Sequence, residues 1–202
     1  MCISMIRAAA PRASIHVVQV FERDGDDAPA ERVLEGTKRA LESEASVVCM
    51  PWTIAETQFA GEFKRLCSEA AGQGKVIVAA WAQEADLAVP ASFESVVGVL
   101  KCRPASSKGP LVTWVESRGA AGTPFGASRG TAFVSGLAVV YAECTRRRSR
   151  KEFTEGLEAF AKEATFDLNL PDKPDGWLRF DFGCAVALTA AEYRRFISSQ
   201  RD

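Results

Sequence analysis

In the run "FGASRGTAFVSG", Phe125 to Gly136, small residues crowd a loop and an apolar, helix-compatible stretch follows. Ser128 stands on the shoulder between them. A serine just ahead of a helix lies beside backbone N–H groups that have no intrahelical partner, and such groups stabilise a developing oxyanion. Acyl transfer through a serine nucleophile is the chemistry this placement suggests. The same placement is what a helix N-cap needs, and on local grounds alone the cap reading is favoured. Without an adjacent base a serine hydroxyl is a poor nucleophile at neutral pH. The chain has a single histidine, His16, inside a β-rich run with no carboxylate next to it in sequence.

Other residues offer less chemistry. The six cysteines, at 2, 49, 67, 102, 144 and 184, show no CxxC pair or Cys/His spacing, so no metal site is expected. A disulfide framework is allowed by parity but is not needed at this size. Cys49 and Cys184 lie in apolar runs and read as buried free thiols. That usage points to a reducing, cytoplasmic setting. The basic run Arg146 to Lys151 reads as cations following a helix C-terminus. Gly119 to Gly122, "GAAG", lacks the Lys and Ser/Thr of a phosphate-cradling loop. No residue cluster implies an organic cofactor.

The elements that must position these residues are read from composition and periodicity. With 202 residues, 47% of them hydrophobic, and a net charge of −1, the chain fits one domain spanning 1–202. The near-neutral balance gives no general attraction to nucleic acid or to an anionic membrane. No apolar run is long enough to span a bilayer. Arg7 follows the short apolar stretch at the N-terminus instead of preceding it, which makes a poor signal peptide.

Strand-like and helix-like runs alternate along the sequence. "SIHVVQVFE", Ser14 to Glu22, reads as a strand. A helix follows, with Pro29 near its start and Val33, Leu34, Thr37 and Leu41 on one face. "ASVVCMPW" reads as a buried strand. A second helix places Phe63, Leu66, Cys67 and Ala70 on one face and ends at glycines. "KVIVAAW" and "FESVVGVLKC" are further strands, the latter after a turn at Pro90. Arg103 to Ser128 reads as loops around one strand, "PLVTWVE". A long helix follows Gly130. Ser149 and Glu152 have capping-box spacing ahead of another helix, and Thr189 and Glu192 repeat it before the last one. Strands apolar on both faces, alternating with helices, indicate a mostly parallel sheet covered on both sides.

Taken in order, the segments resemble the subtilisin-like serine peptidases. "AAAPRASIHVVQVF" is similar to the family's "GVAPxAxLxAVKVL". "ERVLEGTKRALESEASVVCMPW" resembles its helix followed by "ADVINMSLG". "GKVIVAAWAQEADLAVPASFESVVGV" resembles "GVVVVAAAGN…YPAxxxxVIAVGA". "GASRGTAFVSG" aligns without a gap on the nucleophile helix "GTSMAAPHVAG", with Gly126, Ser128, Val134 and Gly136 on matching types. "DGWLRFDFGCAV" resembles the closing "GxGxVDAxxAV". The resemblance implies a three-layer α/β subtilisin-like fold whose mostly parallel sheet is flanked by helices, with the N-terminal strand and the His helix missing. It registers Ser128 on the nucleophile and Gln83 on the oxyanion-hole Asn.

The departures from the family pattern bear on function. The family's catalytic Asp and His lie upstream of the "VAP" segment, and no "HGT" or "DTG"-like triplet occurs in this chain. Gln83 is one methylene longer than the Asn it registers with, and a misplacement of about an ångström costs on the order of a hundredfold in rate. The substrate-binding edge becomes Pro51-Trp52-Thr53, in which Pro51 lacks a backbone donor. Its neighbour becomes Ala80-Trp81-Ala82. With the fold kept, Trp52 and Trp81 are expected to crowd the specificity pocket; the alternative is that both fill core.

The missing strand would leave two sheet edges unpaired, and direct closure of "SIHVVQVF" onto "ASVVCM" is the favoured expectation over a strand supplied by another polypeptide. The calcium sites common in the family are not traceable, and neither a metal nor a cofactor is expected. Three functional readings follow, in order of preference. The first is a non-catalytic pseudopeptidase that binds a peptide or protein. The second is a peptidase subunit whose partner supplies the Asp and His. The third is a product of gene truncation, or a start site placed too late. A partner subunit or a homo-oligomer would complete the sheet; nucleic acid and membrane are not expected as partners.

Overall fold

Runs of consecutive apolar residues make strands that bury both faces, and the sheet follows from this pattern. The computed structural model describes residues 2–21, 28–54, 58–81, 88–100, 112–116, 127–145, 149–163, 177–181 and 186–199. Five strands, β1 (Val47–Met50), β2 (Val76–Trp81), β3 (Val96–Leu100), β4 (Val112–Glu116) and β5 (Trp177–Asp181), form one sheet in the order β1-β2-β3-β4-β5. Every pairing is parallel; Val47 stands opposite Val76, and Ala79 opposite Gly98.

Helices α2 (Ala30–Glu42) and α3 (Ala60–Gly72) cover one face. Val33 and Leu41 of α2 and Phe63, Leu66, Cys67 and Ala70 of α3 pack there against Val48, Met50, Ile77 and Val96. Four helices cover the other face: α1 (Cys2–Ala9), α4 (Ala127–Thr145), α5 (Arg150–Glu163) and α6 (Val186–Ser199). Their core joins Phe133, Leu137, Phe153 and Tyr193 to Val76, Val78, Val97 and Val99. Alternate residues along β2 and β3 therefore serve opposite cores, as the two-residue period of a strand requires. The result is the three-layer α/β arrangement expected from the sequence.

The helix readings hold where an apolar stripe carries them. Pro29 is the N-cap of α2, and Thr37 bonds back to the Val33 carbonyl at 2.7 Å. Gly74, at φ 86°, takes the left-handed turn after α3. The Ser149 hydroxyl caps α5, accepting the Glu152 N–H at 3.2 Å and meeting the Glu152 carboxylate at 2.7 Å.

Four readings are corrected. Ser14–Glu22 is not a strand: residues 14–21 pair with no strand, and Glu22 lies outside the described residues. Direct closure onto β1 therefore does not occur. The segment is held at its ends, where Ala13 packs on the α1/α4 core and Val20 on Gly36, while Val17 in the middle is 60% exposed. The last helix begins at Val186, three residues before Thr189, so the second capping-box spacing is internal to it. Cys2–Ala9 and Trp177–Asp181 were not read as elements from periodicity; both are short. Ser128 lies inside α4 as its second residue and is not the residue that caps it.

α1 approaches α4 closely at Gly136. A Cβ added there would stand 2.6 Å from the Ala9 Cβ and 3.0 Å from the Ile6 carbonyl oxygen. Gly136→Val is expected to lower stability by about 2 kcal/mol, since overpacking outweighs the gain in helix propensity. Gly61→Ala on the open face of α3, where nothing lies within 4 Å, is expected to be neutral or slightly stabilising. Denaturant unfolding of the two variants checks both.

Candidate active-site region

α4 is apolar nearly all round, and the residues Gly130 to Ala138 are all buried. Its hydroxyls are accommodated by bonding back along the helix: Thr131 donates to the Ala127 carbonyl and Ser135 to the Thr131 carbonyl, each at 2.8 Å. This buried helix fixes Ser128 at its N-terminal end, beside the chain leaving β1. The Ser128 hydroxyl donates to the Pro51 carbonyl at 2.6 Å. A carbonyl can only accept, so the one proton of this hydroxyl is committed to backbone. The Cys2 thiol, at the start of α1, meets the Ser128 carbonyl at 3.8 Å. Cys2 had no place in the sequence reading; the small residues Ala8 to Ala10, facing a glycine on α4, are the signal that α1 packs here.

The Pro51-Trp52-Thr53 edge is joined to the turn before β3. The Thr53 hydroxyl donates to the Val89 carbonyl at 3.2 Å. Ile54 and Val89 form an antiparallel bridge through their backbones. The backbone of Ile54 is thus already paired. Trp52 is half-buried, with its ring edge-on to Phe63 at a centroid distance of 6.2 Å. Trp81 is half-buried and lies over Gly98, where a Cβ would meet its ring at 2.9 Å. Both indoles pack against the α2/α3 core. Ala80 is buried beside them in β2. The fold therefore brings together Ser128 and Pro51, and gathers Trp52 and Trp81 on one core. Ala82 and Gln83 lie outside the described residues, as do Gly119 to Gly122 and Arg146 to Arg148.

His16, the chain's only imidazole, is exposed on the unpaired segment. Among the described residues no group of three or more His, Cys, Asp and Glu side chains is placed to hold a metal. Cys2, Cys49, Cys67 and Cys144 are free thiols. Burial pushes the Cys49 thiol up to about 12, against a smaller opposing effect from its hydrogen bond with Ser135. Burial likewise pushes Cys67 to about 12. Cys67 is buried, whereas Cys49 is half-buried, short of the buried place expected of it, and both stay protonated through the neutral range. No described helix is long and apolar enough to cross a membrane.

A parallel sheet between two helical layers, with a serine in the first turn of a buried helix at the strands' C-terminal side, defines a three-layer α/β class. Known structures narrow it to the subtilisin-like fold. A lanthipeptide protease superposes with a TM-score of 0.67 at 13% identity, over 97% of this chain and 74% of that one. The subtilase cytotoxin SubAB gives 0.61 at 15%, over 97% and 75%. The patellamide maturation protease PatA gives 0.55 at 16%, over 96% and 82%. No protein-family model and no curated protein matches the sequence. The chain has a subtilisin-like protease fold.

Two outcomes are expected. Ser128→Ala should lower stability by about 1 kcal/mol in denaturant unfolding, the usual contribution of one neutral hydrogen bond. Cys49 and Cys67 should resist iodoacetamide at pH 8 in the folded protein and react once it is unfolded. Their ordinary value is 9.0 and their folded value about 12, so between these the folded state holds the more protons. The stability they contribute is full below pH 9 and falls as pH rises through that window, which unfolding at pH 8 and pH 10 measures.

Proposed function

We propose that the chain is a subtilisin-like pseudopeptidase, a non-catalytic module that binds a peptide or protein ligand. The observation that carries this reading is the hydrogen bond from the Ser128 hydroxyl to the Pro51 carbonyl. General-base activation needs that proton to point at a base, and the chain's one imidazole sits on an exposed, separate segment. Pro51 and the paired backbone of Ile54 also withdraw donors that an extended substrate would use along this edge. Trp52 and Trp81, each partly open, supply aromatic surface for a ligand at low entropic cost. The register with the family gives Gln83 the role of the oxyanion donor and makes Ala80-Trp81-Ala82 part of the substrate edge. The free thiols at Cys2, Cys49, Cys67 and Cys144 support a reducing, cytoplasmic setting.

A second reading, a peptidase subunit that borrows its Asp and His, draws on the half-buried position of Ser128, which leaves the side chain within reach of another chain.

Labelling of the purified protein with a fluorophosphonate serine probe tests the proposal. No labelling beyond that of Ser128→Ala is expected. Labelling that disappears in Ser128→Ala would overturn it and make the chain an enzyme with an unconventional base. Labelling of Ser128 only after native extract is added would favour the borrowed triad.

A further inference from the structure

Among the described thiols, Cys2 and Cys49 meet on one face of α4. Strand residues alternate between the two faces of a sheet. Val47 packs into the core shared with α4, while Val48 and Met50 join the opposite core. Cys49 therefore turns its thiol toward α4, where it is hydrogen-bonded with Ser135. The Ser135 hydroxyl in turn lies 2.8 Å from the Thr131 carbonyl oxygen. Cys2, in the first turn of α1, brings its thiol within 3.8 Å of the Ser128 carbonyl oxygen. Those two carbonyls are three residues apart on α4, about 4.5 Å of helix rise, so the two sulfurs approach one helix face about a turn apart. Burial is the main cause that raises the Cys49 value, and the Cys2 thiol adds to it, an electrostatic effect that needs a close neighbour. Both thiols are half-buried and line one cavity of about 260 Å³, which admits a small oxidant. The other described thiols stand apart. Cys67 lies in the α2/α3 core across the sheet, and Cys144 meets the Ser198 hydroxyl at 3.9 Å at the far end of α4.

We propose that Cys2 and Cys49 form a peroxide-responsive pair, which closes to a disulfide on oxidation and reopens with a low-molecular-weight thiol. Cys49 is held protonated, which leaves Cys2 as the sulfur oxidised first. The Cys2 thiol takes one oxygen from the peroxide, whose O–O bond breaks, giving a sulfenic acid and one water. The Cys49 sulfur then attacks the Cys2 sulfur and displaces the hydroxyl. The Cys49 proton leaves with that oxygen as a second water, and the S–S bond forms. Together the two thiols give up two electrons and two protons to one peroxide molecule. Two equivalents of a small thiol restore both. A transient disulfide of this kind suits a reducing compartment. The bond ties the first turn of α1 to β1 two residues before Pro51, whose carbonyl receives the Ser128 hydroxyl. The pair stands whether or not that neighbouring surface binds a ligand.

The test treats the folded whole chain with hydrogen peroxide and maps its disulfides by mass spectrometry. The expected product joins the Cys2 peptide to the Cys49 peptide, lighter by two hydrogens than their sum, and dithiothreitol separates them. The oxidised protein should unfold roughly 5–10 °C above the reduced one, because the bond constrains the unfolded chain. In Cys49→Ser, oxidation should stop at Cys2 as a sulfenic acid trapped by dimedone, an adduct that the parent does not accumulate. In Cys2→Ser, Cys49 should stay reduced. The map of the parent decides by itself if either variant fails to fold. A bond from Cys2 to any other cysteine, chains joined through Cys2, or a dimedone adduct that builds up on Cys2 of the parent would overturn the proposal. Peroxide that leaves both thiols unmodified overturns it as well.

Discussion

Everything in the fold turns on burying α4. A helix apolar on all sides is stable only when surrounded, and this one is enclosed by the sheet, α1 and α6. α1 reaches it only because position 136 is glycine. α6 reaches it on the other side, where Tyr193 and Ile197 join Phe133 and Tyr141 in one core and the Arg194–Glu143 ion pair marks the rim at 3.0 Å. With the helix axis so constrained, its first turn has little freedom. Ser128 is delivered to the Pro51 carbonyl by the same packing that forms the core. The position of the serine is thus a consequence of stability, and its survival does not by itself require catalysis.

Much of this was legible because the apolar periods were clean. The four residues assigned to one face of the second helix, Phe63, Leu66, Cys67 and Ala70, are the four buried residues of α3. The uninterrupted runs of β2 and β3 could only be strands of a two-sided sheet. Five loose segment likenesses gave the subtilisin-like fold although no family model matches the chain; the order of the segments carried what their identity did not. "SIHVVQV" failed for a physical reason. Its β-branched residues favour extended backbone, but pairing is a property of two chains, and nothing in the run says that a neighbour is present. The start of α4 was placed after Gly130, three residues late, which left Ser128 on the loop side of it; helix ends are fixed by hydrogen bonds that composition does not report.

The site was legible in type more than in geometry. A serine, two indoles and a proline were picked out by comparison with what a peptidase needs. Their mutual arrangement, with the hydroxyl turned onto backbone and the indoles laid on Phe63 and Gly98, depends on contacts between residues distant in sequence. Lys75 shows the same limit. It is nearly buried, yet its ammonium is satisfied by the carbonyls of Ser43 and Ala45 just past the end of α2, which ties that helix to the start of β2. No local pattern announces such a tie, because both acceptors are main-chain atoms.

The contact between Cys2 and Ser128 has a practical corollary. Any polypeptide joined ahead of Cys2 leaves the fold within a few ångströms of the serine. A short flexible linker holds its cargo at roughly millimolar effective concentration around the attachment point. A sequence fused at that end would therefore sample the surface formed by Ser128, Pro51 and Trp52 without any affinity of its own. Affinity tags placed there would crowd that surface, whereas the same tags joined after α6 would start beside Cys144, at the other end of α4.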